Sequence, residues 1–324
     1  MIQWGIHSIG VPGKLDDDVA FVLAKAAELK LPLLATMAPE EARAEFARRL
    51  SRTNPPPPEG IEAETIAING PGGPLPVRLY RPAGGATARA ALLYFHGGGF
   101  VVGDLETHDS ICRIIAGRSG SVVAAVDYRL GPEAPYPAAI EDAHAALAWA
   151  ATGPAELGGT GVTLGVAGDS AGGTLSAVMA LHARDMGLSL ALQALIYPAV
   201  DQSGEFSSRR RLAEGYLLTQ ADIEWFTAQY FAGRACPVLE SDASPLRAAS
   251  HVGLAPALVL TCGFDPLVDE GKAYAETLRT AGVPVRSVCL EGAIHGCLGL
   301  AAYLGCGRAA LDELCSAWSA AIGG

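Results

Sequence analysis

The chain has 324 residues, half of them hydrophobic, and its formal net charge at pH 7 is −11. This length predicts one large core with an appendage, and the composition excludes wholesale disorder and a fibrous fold. The acidic balance opposes binding to nucleic acid or to anionic lipid, because both need patches of Lys and Arg. We therefore expect no nucleic-acid or membrane partner, whereas the negative charge does not oppose binding of a small neutral substrate.

Three features predict a soluble, cytoplasmic protein. The seven cysteines are an odd set without C-x-x-C spacing, which is typical of buried thiols in a reducing compartment. The N-terminus lacks the positive region of a signal peptide, and acids at positions 16–18 stand where its apolar region would be. The longest apolar run, residues 188–200, is shorter than the roughly 20 residues that a membrane-spanning helix needs.

The first 50 residues are predicted to be helical. Apolar residues between positions 19 and 26 recur at helical spacing, and a second helix is expected to begin near Pro39, with acids in its first turn. The proline run at 55–58 ends any helix there.

From residue 76 onward, strand-like runs alternate with helical segments. The strands are predicted at 76–80, 91–95, 122–126, 162–166, 192–197, 258–261 and 285–290, and the helices at 108–117, 138–150, 172–184 and 270–281. Several of the strands are almost continuously apolar, as strands buried on both faces must be. This alternation predicts an α/β fold with a mostly parallel central sheet flanked by helices.

One segment interrupts the alternation. Residues 201–232 hold six aromatic side chains of the 21 in the chain and form a long insertion between two core strands. Long insertions in compact domains are usually lids or binding elements. The alternative is a satellite hydrophobic cluster that packs on the core.

The pentapeptide Gly168-Asp169-Ser170-Ala171-Gly172 lies between an apolar strand and a helix. In this context the glycines permit a strained turn that raises the Ser170 hydroxyl above the sheet, where a base can reach it. The pattern alone is weak evidence, and the strand-turn-helix context strengthens it.

A second motif, His96-Gly97-Gly98-Gly99-Phe100, directly follows the strand at 91–95. Consecutive glycines let the backbone bend so that its N–H groups face a cavity, as a tetrahedral oxyanion requires. The alternative is a flexible glycine turn. We expect His96 to hold this loop by hydrogen bonding rather than to act as a base.

A serine nucleophile needs a histidine base and a carboxylate that orients it. His295 lies in a small-residue loop after the last core strand, where a base could overhang Ser170. The acid is expected between the two in sequence, and Asp265 meets that requirement, whereas Asp269 and Glu270 fit better as acids in the first turn of the next helix. Packing or surface roles are expected for the other histidines: His7, His108, His144, His182 and His251.

These motifs, together with the stretches 127–130, 265–267 and 294–296, resemble the hormone-sensitive-lipase family of α/β-hydrolases, specifically its bacterial family IV esterases with a G-D-S-A-G-G motif. The resemblance runs from about residue 50 to the C-terminus. It implies an α/β-hydrolase fold with Ser170 as nucleophile, His295 as base and Asp265 as orienting acid. It also implies an oxyanion hole from the backbone N–H groups of Gly98, Gly99 and Ala171, with Gly97 in the same loop.

The resemblance also implies a helical cap built from two segments. The expected organisation is N-terminal cap helices in residues 1–54, a cap insertion in 201–246, and a catalytic domain in 55–200 and 247–324. Ala293 and Cys297 are smaller than the residues often found around the family's catalytic histidine, which predicts a larger pocket.

The function expected from these observations is that of a serine carboxylesterase, which hydrolyses short- to medium-chain acyl esters of small molecules through an acyl-enzyme. The alternatives are an amidase or lyase on the same fold and a non-catalytic small-molecule receptor. No metal or organic cofactor is expected, because the sequence has no Walker-type phosphate loop, zinc-protease helix or EF-hand spacing. The dinucleotide-like match at 305–310 has no strand before it and no βαβ unit after it, so chance explains it better. A final strand at the sheet edge could pair with a second copy and form a homo-oligomer.

Overall fold

The computed structural model describes residues 4–84 and 89–323. Its strands are β1 (Gly5–Ile9), β2 (Ile61–Gly70), β3 (Gly73–Pro82), β4 (Ala90–Phe95), β5 (Val122–Val126), β6 (Thr163–Asp169), β7 (Gln193–Ile196), β8 (Ala257–Phe264) and β9 (Val285–Ile294). They form one nine-stranded sheet in the order β1-β9-β8-β7-β6-β4-β5-β3-β2. Every pairing is parallel except those of β2 with β3 and of β3 with β5. The predicted α/β fold with a mostly parallel sheet is confirmed.

The helices lie between the strands and on both faces of the sheet. They are α1 (Asp17–Glu28), α2 (Pro39–Thr53), α3 (Asp109–Ser119), α4 (Ala138–Ala151), α5 (Ala171–Asp185), α6 (Ser207–Arg211), α7 (Gln220–Tyr230), α8 (Val268–Thr280) and α9 (Gly305–Ile322). Across the two described ranges, none of these helices combines the length and the apolar character needed to cross a membrane.

The alternation of side chains along β4 places the core on both sides of the sheet. All six residues of this strand are buried, as its apolar sequence predicts. Leu92 and Tyr94 belong to one hydrophobic cluster, which includes residues of α3 and α9. Leu93 and Phe95 belong to the opposite cluster, which includes residues of α4 and α5. The sheet is therefore the middle layer of three.

The N-terminal strand β1 differs from the helical prediction for the first 50 residues. Its residues pair in parallel with β9, from Gly5 opposite Arg286 to Ile9 opposite Leu290. The strand is short and mostly exposed, so it carries little of the apolar patterning that identifies core strands. Because β1 covers it, β9 is not the edge of the sheet, and the expectation that the final core strand pairs with a second copy does not hold.

Two further elements were not predicted. The edge strand β2 pairs with β3 along its length but is largely exposed, so its sequence lacks a continuous apolar run. Helix α9 covers one face of the sheet and contains the dinucleotide-like match at 305–310 in its first turns. The described residues that lead directly into this helix form no strand, so the match lacks the strand that a dinucleotide-binding turn requires.

The helices of the two predicted cap segments contact each other. A cluster of apolar side chains joins Phe46 of α2 to Trp225 and Phe226 of α7. The Ala35 N–H donates to the Asp222 carboxylate over 3.1 Å, which adds a polar link between the segments. Residues 1–3, 85–88 and 324 of the predicted segments lie outside the described residues.

Candidate active site

The predicted functional loops meet at one edge of the sheet. They follow the carboxyl ends of four strands: the glycine loop follows β4, the nucleophile turn β6, the acid loop β8, and the histidine loop β9. In parallel α/β sheets this edge is where ligands bind. The topology thus brings together residues that are far apart in sequence.

Ser170 sits in the strained turn between β6 and α5. Its φ of 53° and ψ of −118° lie outside the favoured regions for a residue with a side chain. A Cβ on Gly172 would overlap the backbone of Phe95, and one on Gly168 would overlap Gly172. The glycines of the motif are therefore required by close packing of the turn against β4, and the turn presents the Ser170 hydroxyl to the cavity.

His295 connects the serine to a carboxylate. Its Nε2 lies 2.9 Å from the Ser170 Oγ, and its Nδ1 lies 2.7 Å from an oxygen of Asp265. Because a carboxylate only accepts, the proton of the neutral imidazole is on Nδ1, and Nε2 is left to accept from the serine hydroxyl. The geometry suits removal of the hydroxyl proton during nucleophilic attack.

The three candidate acids take different positions. Asp265 is fully buried, and its second oxygen accepts the Leu267 N–H over 2.8 Å, which fixes the carboxylate toward His295. Asp269 instead accepts from Ser207 and from the Ser208 N–H. Glu270 pairs with buried Arg209 at 2.8 Å. Of these acids, only Asp265 touches His295.

The glycine loop lies beside the serine turn. Gly98 and Gly99 have φ values of 120° and 60°, and within the described ranges no group accepts a hydrogen bond from either N–H. Ala171 is the first residue of α5, so its N–H is not used inside that helix. These three N–H groups are available to an oxygen bound next to Ser170. The Gly97 N–H, in contrast, donates to Asp169 over 3.1 Å, so Gly97 supports the loop rather than offering a further donor.

Asp169 is a supporting residue that the sequence analysis did not identify. One of its oxygens accepts from the Tyr94 hydroxyl at 2.8 Å and lies 3.3 Å from the His108 Nε2. Burial acts to raise the pKa of Asp169, but the charge of His108 and the hydrogen bonds from His108 and Tyr94 outweigh it, so the pKa lies below its ordinary value. The carboxylate therefore remains charged while it ties the glycine loop to the serine turn. The Asp within G-D-S-A-G was the only signal for it.

His96 holds the glycine loop, as expected. Its Nδ1 lies 2.8 Å from the carbonyl oxygen of Gly97, and the Tyr128 hydroxyl donates to the His96 carbonyl over 2.7 Å. Burial and the neighbouring His108 lower the pKa of His96 to about 4, so the ring is neutral and Nδ1 carries the donated proton.

The remaining histidines lie outside the catalytic contacts. His144 and His182 bond each other through their Nδ1 atoms at 3.1 Å, and His182 also contacts Asp242. His251 contacts a backbone carbonyl through its Nε2. His7 lies on the edge strand β1. These positions agree with the packing and surface roles expected from the sequence. His108 differs from that expectation, because it contacts Asp169 beside the serine turn.

A cavity of about 660 Å³ opens above Ser170. Its floor contains the serine, His295 and the glycine loop. Its walls are mostly apolar and come from both predicted cap segments, including Phe46 and Leu50 of α2 and Ile223 and Phe226 of α7. Tyr197 also lines the cavity, and its ring centre lies 4.7 Å from that of His295. Such a site suits a ligand with apolar groups around one polar reacting centre.

The predicted enlargement of the pocket by Ala293 and Cys297 is wrong. Neither residue lines the cavity, and both are fully buried in the core between the sheet and α9. Gly307 of α9 approaches Cys297 so closely that a Cβ would overlap its carbonyl. The small side chains therefore accommodate the helix. The adjacent Cys262 thiol, together with burial, raises the pKa of Cys297 well above its ordinary value, which makes this thiol inert.

Across residues 4–84 and 89–323, no group of three or more His, Cys, Asp or Glu side chains is arranged to hold a metal ion.

Comparison with known proteins supplies independent information. A family model described as the alpha/beta hydrolase fold matches residues 92–299. The chain is 42% identical over 276 residues to the carboxylic ester hydrolase LipN of Mycobacterium tuberculosis, covering 83% of this chain and 73% of that protein. It is 43% identical over 225 residues to an ethyl acetate hydrolase of Pseudomonas putida, covering 68% and 70% of the two chains.

Solved structures agree with these relatives. The ester hydrolase EH1AB1 from the metagenome of Lake Arreo, in complex with a derivative of bipyridine phosphonate, has a TM-score of 0.90 and 40% identity, and the match covers 96% of this chain and all of that one. A hyperthermophilic esterase from Pyrobaculum calidifontis has a TM-score of 0.88 and 40% identity, with 95% and 98% of the two chains covered.

Proposed function

The chain belongs to the alpha/beta hydrolase fold family and is a carboxylic ester hydrolase, and we propose that it cleaves short- to medium-chain acyl esters with Ser170, His295 and Asp265. The observation that carries this proposal is the continuous chain of hydrogen bonds, 2.9 Å and then 2.7 Å long, from Ser170 through His295 to Asp265. These hydrogen bonds lie at the floor of an apolar cavity. The activities named for the protein's relatives support the reaction class, and the hydrogen-bond geometry supports the roles proposed for the three residues.

The reaction proceeds in two halves. His295 accepts the proton of Ser170 as the serine oxygen attacks the ester carbonyl, and Asp265 stabilises the resulting imidazolium. The carbonyl oxygen becomes an oxyanion, which accepts hydrogen bonds from the backbone N–H groups of Gly98, Gly99 and Ala171. His295 then gives its proton to the departing alcohol. Water attacks the acyl-enzyme by the same steps and releases the carboxylic acid.

The walls of the cavity support small apolar esters as substrates. An acyl or alcohol group of moderate length would lie against apolar side chains of α1, α2 and α7, such as Val22, Leu50 and Ile223. Each buried methylene contributes about 0.8 kcal/mol to binding, so affinity should rise with chain length until the cavity is filled.

The predicted division into domains is part of the proposal. We assign residues 1–54 and 201–246 to the cap and residues 55–200 and 247–324 to the catalytic domain. The support is that helices α1, α2 and α7 contribute walls of the cavity, whereas the candidate catalytic groups come from the loops after β4, β6, β8 and β9.

A reducing compartment such as the cytoplasm is proposed as the site of action. All seven cysteines are free thiols, and the Sγ atoms of Cys262 and Cys297 lie 3.8 Å apart without a bond. Thiol titration after denaturation of protein purified without reductant should find seven reactive groups, and a smaller number would count against this location.

The test is hydrolysis of p-nitrophenyl esters from two to sixteen carbons by the wild type and by Ser170→Ala, with amide and hydroxy-ketone substrates in parallel. We expect activity that peaks at short to medium chains and disappears in Ser170→Ala. Cleavage of the amides or hydroxy-ketones alone would indicate an amidase or a lyase. A folded wild type that turns over none of them would indicate a receptor.

A further inference from the structure

The glycine loop is held from the cap side as well as from the serine turn. Gly99 packs so closely against the ring of Phe226 that a Cβ on this glycine would overlap it. The next residue, Phe100, stacks on Tyr230 with ring centres 4.0 Å apart and planes at 10°. Both aromatic partners belong to α7. The insertion at 201–246 therefore packs against one side of the glycine loop.

A second contact comes from α2. The Arg43 Nε donates to the carbonyl oxygen of Val101 over 2.8 Å. Its Nη2 donates to the carbonyl oxygen of Gly131, also over 2.8 Å, and the Gly131 N–H donates in turn to the carbonyl oxygen of Phe100 at 2.8 Å. Arg43 therefore fixes two successive carbonyls of the loop, one directly and one through Gly131.

The same guanidinium is held in place by a carboxylate. Its two terminal nitrogens donate to the two oxygens of Glu133 over 2.9 and 2.6 Å. The Arg43 side chain is 30% exposed and that of Glu133 63%, so the ion pair itself contributes little to stability. The direct bond to the loop goes to the carbonyl of Val101, a fully buried residue, which makes this bond the more consequential part of the network.

The turn that carries these carbonyls also carries the candidate oxyanion donors. The N–H groups of Val101 and Val102 both donate to the carbonyl of Gly98, which closes the turn. A shift of the Val101 carbonyl would therefore rotate the peptide groups of Gly98 and Gly99. Stabilisation of an oxyanion depends on donors that are already in place, because a misplacement of about 1 Å can reduce the rate by about 100-fold.

From these contacts we propose that Arg43 is a positioning residue for the reaction, which holds the oxyanion loop in its working geometry and couples it to helix α2. The inference rests on the proposed function, since it assumes that Gly98 and Gly99 bind the oxyanion. Phe46 and Leu50, which follow Arg43 on the same helix, line the cavity. Movement of α2 around a substrate is thereby transmitted to the donors.

The test compares Arg43→Lys with Arg81→Lys. Lysine keeps the positive charge, but its donors sit on one nitrogen and lack the planar fork by which Nε, Nη1 and Nη2 of Arg43 reach two carbonyls and a carboxylate. Arg81 is a matched control, because it is 32% exposed and also donates to one carboxylate and one backbone carbonyl, those of Glu64 and Glu156, away from the cavity. Rates are expressed per Ser170 labelled by a phosphonate, so misfolded molecules do not contribute.

In Arg43→Lys we expect kcat for a short p-nitrophenyl ester to fall about tenfold while KM stays within about twofold, because donors for the transition state are displaced and the binding walls are not. The rate of phosphonate labelling should fall in parallel. In Arg81→Lys both constants should stay within about twofold of the wild type.

A further variant separates the carbonyl bonds from the ion pair. Glu133→Gln retains an acceptor oxygen and both carbonyl bonds, so its kcat should stay within about threefold of the wild type. The inference is overturned if Arg43→Lys keeps the wild-type kcat, if it raises KM alone, or if its kcat falls no more than that of Arg81→Lys. It is also overturned if Glu133→Gln loses as much kcat as Arg43→Lys. A wild type that is inactive and unlabelled would refute the proposed function instead.

Discussion

The carboxylate of Asp169 accepts a hydrogen bond from the backbone N–H of Gly97, which lies 72 residues earlier in the chain. This bond joins the turn that presents the candidate nucleophile Ser170 to the loop that holds the candidate oxyanion donors. The two halves of the candidate site are therefore positioned relative to each other by a buried charge, and not only by the strands that precede them.

The first prediction concerns that carboxylate. Asp169→Ala should lower the free energy of unfolding by about 3 kcal/mol, because it leaves the Gly97 N–H and the Tyr94 hydroxyl buried without an acceptor. It should also lower kcat at least tenfold, since the loop loses its tie to the serine turn. Urea denaturation and steady-state kinetics measure the two effects.

A matched control for this change is Asp185→Ala. Asp185 is exposed and pairs with its neighbour Arg184, so the free energy of unfolding and kcat should both stay close to the wild-type values. Equal losses in the two variants would show that the Asp169 bond has no special role.

The second prediction tests the choice of acid. Asp265→Asn should lower kcat about 10³- to 10⁴-fold with little change in KM, because an amide no longer holds the His295 proton on Nδ1 and does not stabilise the imidazolium. In Asp269→Asn, four residues later, kcat should fall less than about tenfold, since the Asp269 carboxylate contacts α6 and not His295. The reverse order of effects would assign the acid to Asp269.

The third prediction uses two glycines with similar backbone angles. Gly99 has a φ of 60° and abuts Phe226, whereas Gly120 at the end of α3 has a φ of 67° and an open space around it. Gly120→Ala should cost about 1 kcal/mol of stability through backbone strain and leave kcat unchanged. Gly99→Ala should lose the same amount of stability through strain and should also lower kcat about 100-fold, because the new methyl group displaces the loop.

A double variant distinguishes steric displacement from strain. If the overlap with Phe226 is the cause, Gly99→Ala combined with Phe226→Ala should recover at least about tenfold of the lost kcat. Lack of any recovery would attribute the loss to the backbone angle of Gly99.

The fourth prediction concerns pH. Burial raises the pKa of Glu270 from 4.5 to about 7, and this effect exceeds the opposing influence of Arg209 and of the N–H groups of Val200 and Asp201. The folded protein then retains a proton that the unfolded chain releases above pH 4.5. The contribution of Glu270 to the free energy of unfolding should therefore be greatest below pH 4.5 and fall as the pH rises to about 7, by about 3 kcal/mol at 1.36 kcal/mol per pKa unit.

The control for this titration is Glu270→Gln. It replaces the titrating carboxyl with a neutral amide that can still face Arg209, so the part of the slope between pH 4.5 and 7 that Glu270 causes should disappear. Persistence of the full slope in the variant would show that another group is responsible.

The candidate site could be predicted from sequence where its chemistry depends on local patterns. The strand before Ser170 and the helix after it follow from apolar runs, and the glycines of both motifs identify turns that only glycine fits. The order of serine, acid and histidine then selected Asp265 and His295. These signals are short-range, because each motif lies within a few residues of the strand that positions it.

The supporting contacts of Arg43 and Asp169 could not be predicted, because they join distant segments. Arg43 and Val101 are 58 residues apart, and a single arginine on a helix resembles any surface residue until its partner is known. The same reason explains the missed strand β1, which is defined by its pairing with β9. Ala293 was misread because its distance in sequence from His295 does not tell which way its side chain points, and it points into the core.

The most direct test of the account is covalent labelling of the purified protein with a serine-directed phosphonate, followed by peptide mass spectrometry. We expect one phosphonyl group per chain, located on Ser170, and loss of esterase activity in proportion to labelling. Prior saturation with a short-chain ester product analogue should slow the labelling, because both occupy the cavity above Ser170. Labelling at another residue, or full activity after Ser170 is completely modified, would contradict the assignment of Ser170 as the nucleophile.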